Sequence, residues 1–227
     1  MKPPCAIALE ASTDRLGIAA RAPAGVVCWE TEPARDESPR IFQHCERLLA
    51  QVGGSIAALD FVAFGCGPGS FTGVRIAAAA AQALAFARGI PVCRISSFRV
   101  LASGVARRFG PGCFGISFDA RRQRAYLGLY QVDASGSISI GSADALIDPS
   151  SFELPGDAPF VAVGEGWQAY PQLLARHRAR VLSIEASLKP SARDLIGLAE
   201  SDFFAGRTVA AAQALPEYLG QRPAEQL

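Results

Sequence analysis

Apolar residues in the first third of the chain come in short runs broken by turn formers. Cys5-Ala6-Ile7-Ala8-Leu9, residues 17–21 and residues 25–30 are rich in small and β-branched side chains, and Ser12-Thr13-Asp14-Arg15 and Pro23-Ala24-Gly25 separate them. This pattern predicts three strands in hairpin connection. Ser38-Pro39 then supplies a helix cap and a proline at the first helical position. Ile41, Phe42, Cys45, Leu48, Leu49 and Val52 follow at helical spacing until Gly53-Gly54 stops the run. A buried strand over 60–65, a glycine loop, a helix over Thr72–Arg88, a strand over 91–95 and a helix through 101–109 complete the first half.

The second half restarts in the same way. Ile116-Ser117-Phe118-Asp119-Ala120 repeats the pattern of Ile7-Ala8-Leu9-Glu10-Ala11 at an offset of 109, and a new strand begins seven positions after each acid, at Gly17 and at Tyr126. Strand, acid, turn and strand coincide, so we read an internal duplication of a β-hairpin-first unit. A strand at 160–163 and helices near 167–180 and 191–206 follow, with an irregular strap over 208–227. Strands and helices intermix in both halves, which predicts an α/β protein with an N-terminal lobe over 1–110 and a C-terminal lobe over 111–227.

Composition narrows the classes. The chain has 227 residues, half of them hydrophobic, with 22 basic and 21 acidic side chains. Such a chain builds full cores and exerts no bulk pull on polyanions. The longest uncharged stretch, 61–74, has 14 residues, too short to span a bilayer, and Met1-Lys2-Pro3-Pro4 leads directly into a strand-like run without a signal peptide. Six dispersed cysteines with no Cys-x-x-Cys pair point to a reducing cytoplasm, and two histidines 133 positions apart argue against a metal centre.

The most specific run is Gly65-Cys66-Gly67-Pro68-Gly69-Ser70-Phe71-Thr72-Gly73-Val74-Arg75-Ile76. Two readings stand: an anion site at a helix mouth, or a tight strand-to-helix corner where side chains would collide. It lacks the Gly-Lys-Ser/Thr of a Walker loop. The helix behind it carries eight alanines between Ala77 and Ala87, with only Gln82 polar. A helix so apolar all round is buried on more than one side, either wholly inside the chain or between its own sheet and a partner. Glu10 and Asp119 are the two acids of the duplication; Ala120-Arg121-Arg122-Gln123 would obstruct a phosphate cradle beside the second, so a nucleotide site there is eroded. Two basic clusters, Arg121/Arg122/Arg124 and Arg176/Arg178/Arg180, are solvated surface by default, with an RNA-facing patch as the alternative.

Gly67-Pro68-Gly69-Ser70-Phe71-Thr72-Gly73-Val74-Arg75-Ile76 closely resembles the signature of the TsaB (YeaZ) family of tRNA threonylcarbamoyladenosine biosynthesis proteins, non-catalytic relatives of the TsaD, or glycoprotease-like, proteins. Glu10, Asp119-Ala120-Arg121 with Tyr126, Gly164-x-Gly166-Trp167 and Pro216-Glu217-Tyr218-Leu219 fall in family order. The resemblance implies a two-lobed actin/sugar kinase/Hsp70-like (ASKHA) fold and a cytoplasmic subunit with no catalytic or metal-binding residues of its own. It implies pairing with a metal-binding TsaD-like paralogue that modifies adenosine 37 of tRNA, a TsaE-like ATPase and tRNA reached through that complex, and a homodimer when the chain is alone. No cofactor is intrinsic, with weak ATP or ADP binding as the remaining expectation. The signature residues Gly67, Gly69, Ser70, Phe71, Thr72, Gly73 and Arg75, with Glu10 and Asp119, are the candidates for an anion or nucleotide contact. The family's pairing helices correspond to Ser38–Val52 and Thr72–Arg88, which places Ile41, Cys45, Leu48, Val74, Ala77, Ala78, Ala81 and Ala85 at the partner interface.

Glu10, Glu37, Ala77, Arg124 and Gly220 depart from the family pattern, and the last two suggest altered surface charge. An ATP-binding phosphotransferase is the alternative function. A peptidase ranks last, because no Ser/His/Asp or Cys/His arrangement is present.

Overall fold

Ile7 and Leu9 point to one face of strand β1 (Ala6–Glu10), and Ala6 and Ala8 to the other, as the two-residue period of a strand requires. Both faces are covered, so the strand reads as a continuous apolar run rather than an alternating one. The computed structural model describes residues 3–31 and 37–220. Within them β1 pairs antiparallel with β2 (Gly17–Ala22), which pairs with β3 (Gly25–Glu30). On its other side β1 pairs parallel with β4 (Phe61–Gly65), and β4 with β5 (Val92–Ile95), giving the order β3-β2-β1-β4-β5.

Helices α1 (Ile41–Gln51) and α2 (Phe71–Arg88) cover the face that carries Ile7, Leu9, Val62 and Phe64. The opposite face offers mostly small side chains, Ala6, Ala8, Ala19, Ala63 and Cys93, and on it lies the late helix α6 (Ala192–Phe204) with Ala192, Leu195, Ile196 and Ala199. Gly17 is part of that fit: a Cβ there would meet the Cβ of Ala192 at 3.3 Å. Helix α3 (Ser97–Phe109) follows β5 along the chain.

The second sheet repeats the first. Strands β6 (Gly112–Asp119), β7 (Ala125–Val132) and β8 (Ile138–Ile147) form antiparallel pairs, β9 (Phe160–Val163) joins β6 in parallel, and β10 (Val181–Glu185) joins β9. The order β10-β9-β6-β7-β8 is the first sheet's order with each strand replaced by its counterpart five later, which is the duplication read from the acids. Short helices α4 (Gly166–Ala169) and α5 (Pro171–His177) cover one face, with Trp167, Tyr170 and Leu173 against Leu127, Phe160 and Ala162.

Several expectations change. Residues up to Val100 and Pro190–Pro216 form one compact unit, and Leu101–Lys189 with the segment from Glu217 forms the other. The boundary therefore falls inside α3 rather than at 110, and α6 belongs to the first unit rather than to a C-terminal lobe over 111–227. The helix near 167–180 is two helices, because Pro171 forces Tyr170 out of helical geometry (φ −126, ψ 80). Strands β8 and β10 escaped notice: β8 mixes Ser, Gly and Asp among its apolar residues, and β10 follows a helix with no glycine between. Ser38 opens a 3-10 turn over Ser38–Arg40, and α1 begins only at Ile41. Residues 221–227 of the expected strap lie outside the described residues. None of the six cysteines forms a disulfide, and burial pushes the thiols of Cys45 and Cys93 up to about 12. No helix among the described residues is long and apolar enough to cross a membrane.

Asp202 on α6 is a buried carboxylate with two cationic partners in the same unit. It accepts from Arg99 Nη1 and Nη2 at 2.7 and 3.0 Å and from Arg207 Nε and Nη2 at 3.1 and 2.7 Å. Burial works against its charge, but the bonds and charges of the two arginines outweigh it and hold the pKa below the ordinary 3.8. Removing one member of such a pair strands the others. Asp202→Ala is expected to lower the unfolding free energy by about 3 kcal/mol at pH 7 in a urea titration. The folded pKa is depressed, so this contribution is complete above the ordinary aspartate value and disappears as the pH falls through the folded one. A gap between parent and variant that persists at pH 2 would assign the loss to packing instead.

Candidate functional site

Two glycines of the signature lie where backbone meets backbone, and a third where backbone meets the Glu10 carboxylate. The loop leaves β4 at Gly65, turns through Gly67 (φ 105) and Gly69 (φ 154), and enters α2 after Ser70, whose hydroxyl caps the helix by accepting the Gly73 N–H at 3.2 Å. The Ser70 N–H donates to the carbonyl of Ser12 in the β1–β2 turn at 2.7 Å. A Cβ on Gly69 would sit 2.2 Å from the Ser12 oxygen, one on Gly73 1.9 Å from the Ala11 oxygen, and one on Gly65 2.0 Å from Glu10 Oε2. No real Cβ tolerates those distances. Of the two readings of this run, the tight corner is the one the geometry carries.

Glu10 is sealed under that corner. Its Oε1 accepts the Ser12 N–H at 2.8 Å, and the Ser97 hydroxyl donates to its carboxylate at 3.2 Å. Burial pushes its pKa up, against the opposing pull of these donors. Ser12 Oγ is buried beside it.

The second hairpin repeats the device. Asp119 Oδ1 accepts the N–H of Arg121, again two residues on and again at 2.8 Å, and also the hydroxyl of Tyr170 at 2.6 Å. Asp119 Oδ2 pairs with the Arg121 guanidinium at 3.1 Å. Burial would raise the Asp119 pKa, but Tyr170 and the two groups of Arg121 outweigh it and hold it low, while burial and Asp119 push the Tyr170 phenol up to about 12. The turn itself is unlike the first. Arg121, Arg122 and Gln123 are left-handed at φ 65, 50 and 58, the only non-glycine residues with positive φ among those described. Each costs roughly 1–2 kcal/mol. Tyr170 went unnoticed in the sequence, where nothing marks it as Asp119's partner.

Ile41, Cys45, Leu48, Val74, Ala77, Ala78, Ala81 and Ala85 are all buried within the chain itself, under the first sheet's helical layer, because the apolar stripe of a helix turns to its own core first. The same helices turn other side chains outward: Phe42 on α1, 43% exposed, and on α2 Phe71 (61%), Arg75, Ala79, Ala83 and Phe86 (83%). The Arg75 guanidinium stacks over the Phe71 ring at 3.3 Å.

The other singled-out positions are structural. Arg176 pairs with Glu153 and donates to the Ser150 carbonyl, and Arg180 donates to the carbonyls of Ala158, Leu154 and Pro155, so these two staple one loop. Arg124 donates to the carbonyls of Ile147 and Leu146. Gly220 (φ 86) lies over the same Leu146, where a Cβ would come within 2.7 Å of its side chain. These two departures from the family pattern meet at Leu146. Among the described residues no cluster of three or more His, Cys, Asp and Glu could hold a metal ion.

Two five-stranded sheets of one order, each opening on an acid-tipped hairpin, define an actin-like duplicated α/β protein. Residues 21–225 match the family model of TsaD, tRNA N6-adenosine threonylcarbamoyltransferase. The tRNA threonylcarbamoyladenosine biosynthesis protein TsaB of Escherichia coli (strain K12) is 34% identical over 190 residues, covering 82% of this chain and 81% of that protein. TsaB of Haemophilus influenzae is 29% identical over 198 residues, covering 82% and 80%. Among solved structures, YeaZ from Pseudomonas aeruginosa has a TM-score of 0.86 at 33% identity, covering 96% of this chain and all of that one. The chain belongs to the TsaB family of tRNA threonylcarbamoyladenosine biosynthesis proteins.

Two substitutions test the sealed corner. Gly73→Ala is expected to destabilise by about 3 kcal/mol or more, because the Ala11 carbonyl must move. Glu10 behaves oppositely to Asp202: its folded pKa is raised, so its ionised form costs stability at neutral pH. Glu10→Gln should leave the thermal midpoint unchanged or higher at pH 7.5, with the difference shrinking towards pH 4. A lower midpoint at pH 7.5 would mean that the charge itself is held favourably.

Proposed function

We propose that this chain is a non-catalytic partner subunit in tRNA threonylcarbamoyladenosine formation. It pairs with a TsaD-like paralogue through the outward faces of α1 and α2. The observation that supports this reading is the stripe Phe71, Arg75, Ala79, Ala83 and Phe86, with Phe42 on the neighbouring helix. Phe86 in particular leaves a large aromatic surface in water at the end of the small side chains Ala79 and Ala83, the combination that lets a second helix approach closely and bury an anchor. The chain's own two hairpin acids support the non-catalytic part. Both carboxylates are engaged in bracing the turns that follow them. On this reading the protein works in the cytoplasm, brings no cofactor of its own, and covers the same face with a second copy when the paralogue is missing.

Light scattering coupled to size exclusion, on the chain mixed with the paralogue from the same organism, tests the pairing. A hetero-dimer is expected at micromolar concentration. Ala83→Arg and Phe86→Asp should abolish it and leave the thermal midpoint within a degree or two of the parent. Ala81→Arg, which puts a cation into the core, should instead unfold the chain. Undiminished pairing by both surface variants would remove this face from the proposal.

A further inference from the structure

Strain in a backbone persists only where the surroundings enforce it, and here it is enforced at one place. The β6–β7 turn holds three successive left-handed residues, none of them glycine, although glycine would take those angles freely. Bonds fix the turn from every side: Asp119 to the Arg121 N–H, Arg124 N–H to the Arg121 carbonyl at 3.0 Å, and Ala120 N–H to the Arg124 carbonyl at 3.0 Å. The Tyr170 hydroxyl lies within 2.6 Å of Asp119 Oδ1 and 2.8 Å of the Arg124 carbonyl. The side chains of Arg122 and Gln123 are not needed for this. Arg122 and Gln123 are exposed, and no ion pair or side-chain hydrogen bond engages them among the described residues.

The turn is also a local concentration of charge on a nearly neutral chain. Residues 119–124 carry one carboxylate and three guanidiniums on a chain of net charge +1; the Glu165 carboxylate lies against Asp119 and that of Asp148 near Arg124, so Arg122 is the guanidinium with no carboxylate against it among the described residues. Asp119 balances Arg121, and Arg124 is tied to the Ile147 and Leu146 carbonyls yet keeps its charge. No apolar side chain stands at positions 121–124. A rigid cationic tip without an apolar anchor suits phosphate better than a protein surface, because guanidinium forks match phosphate oxygens and an amide can meet a ribose hydroxyl.

We propose that Arg121-Arg122-Gln123, the tip of the β6–β7 hairpin, is a contact for the phosphate backbone of RNA. The proposal rests on the reading of the chain as a tRNA-modification subunit, which makes tRNA the RNA at hand. The strained turn presents Arg122 and Gln123 at a fixed position, so binding costs little ordering.

Fluorescence anisotropy with a labelled tRNA, measured on the reconstituted pair over a range of salt, tests it with Arg122→Gly, Gln123→Gly and Arg122→Lys. Both glycine variants relieve strain, so their thermal midpoints should be unchanged or higher. Arg122→Gly should nevertheless lose affinity severalfold at low salt, and its slope of log affinity against log salt should fall by about one. Gln123→Gly should weaken binding without changing the slope, and Arg122→Lys should restore the slope. Arg122→Gly with unchanged affinity and slope overturns the proposal, as does loss of the hetero-dimer at an unchanged slope, which would make the tip a protein contact. Failure of the parent pair to form strikes the proposed function alone, and the same salt series on the chain by itself then decides the hairpin.

Discussion

The head of the first sheet depends on one close approach, the signature loop lying directly on the turn between β1 and β2. Ser70 donates to the Ser12 carbonyl, and Gly69 and Gly73 leave no room for a side chain above Ser12 and Ala11. That contact sets where α2 begins and so which of its residues face the sheet. It also closes the space around Glu10, which is why a carboxylate at the tip of a central strand is buried and raised in pKa rather than available to a ligand.

The duplication makes the second hairpin a control on the first. Both acids accept the N–H two residues on at 2.8 Å, so both were kept as turn braces. Their pKa values move in opposite directions because their surroundings differ: Glu10 gains a lid of backbone and glycine, whereas Asp119 gains a phenol and a guanidinium. One ancestral device thus serves as a closed joint in one sheet and as the base of an open, cationic tip in the other.

Much of this was legible in the residues. The paired strand-acid-turn-strand pattern located both sheets' leading hairpins, and the signature run located the corner, since four glycines within nine residues leave few alternatives. What escaped was mostly non-local. The sequence marks α1 and α2 as apolar but does not say which flank meets the sheet; residues such as Cys45 and Ala81 lie in the core, and Phe86 faces outward. Strand β8 was hidden because Ser, Gly and Asp occupy an edge whose outer positions need no burial. Nothing in the local sequence marks the left-handed arginines; Asp119 braces Arg121 from two residues away, but Tyr170, which bonds Asp119 and the Arg124 carbonyl, comes from a distant part of the chain.

Helix α6 is made after nearly everything else, yet it lies on the first sheet made. Until residues 192–204 exist, Ala6, Ala8, Phe61 and Ala63 have no cover on that face. At ordinary rates of synthesis, the interval between β5 and α6 is on the order of ten seconds. The first unit therefore spends its early life as a half-covered sheet, while the second unit, formed from one uninterrupted stretch apart from its final segment, can close first. The order of assembly runs against the order of the code, and an aggregation-prone face is exposed on the nascent chain for the length of that delay.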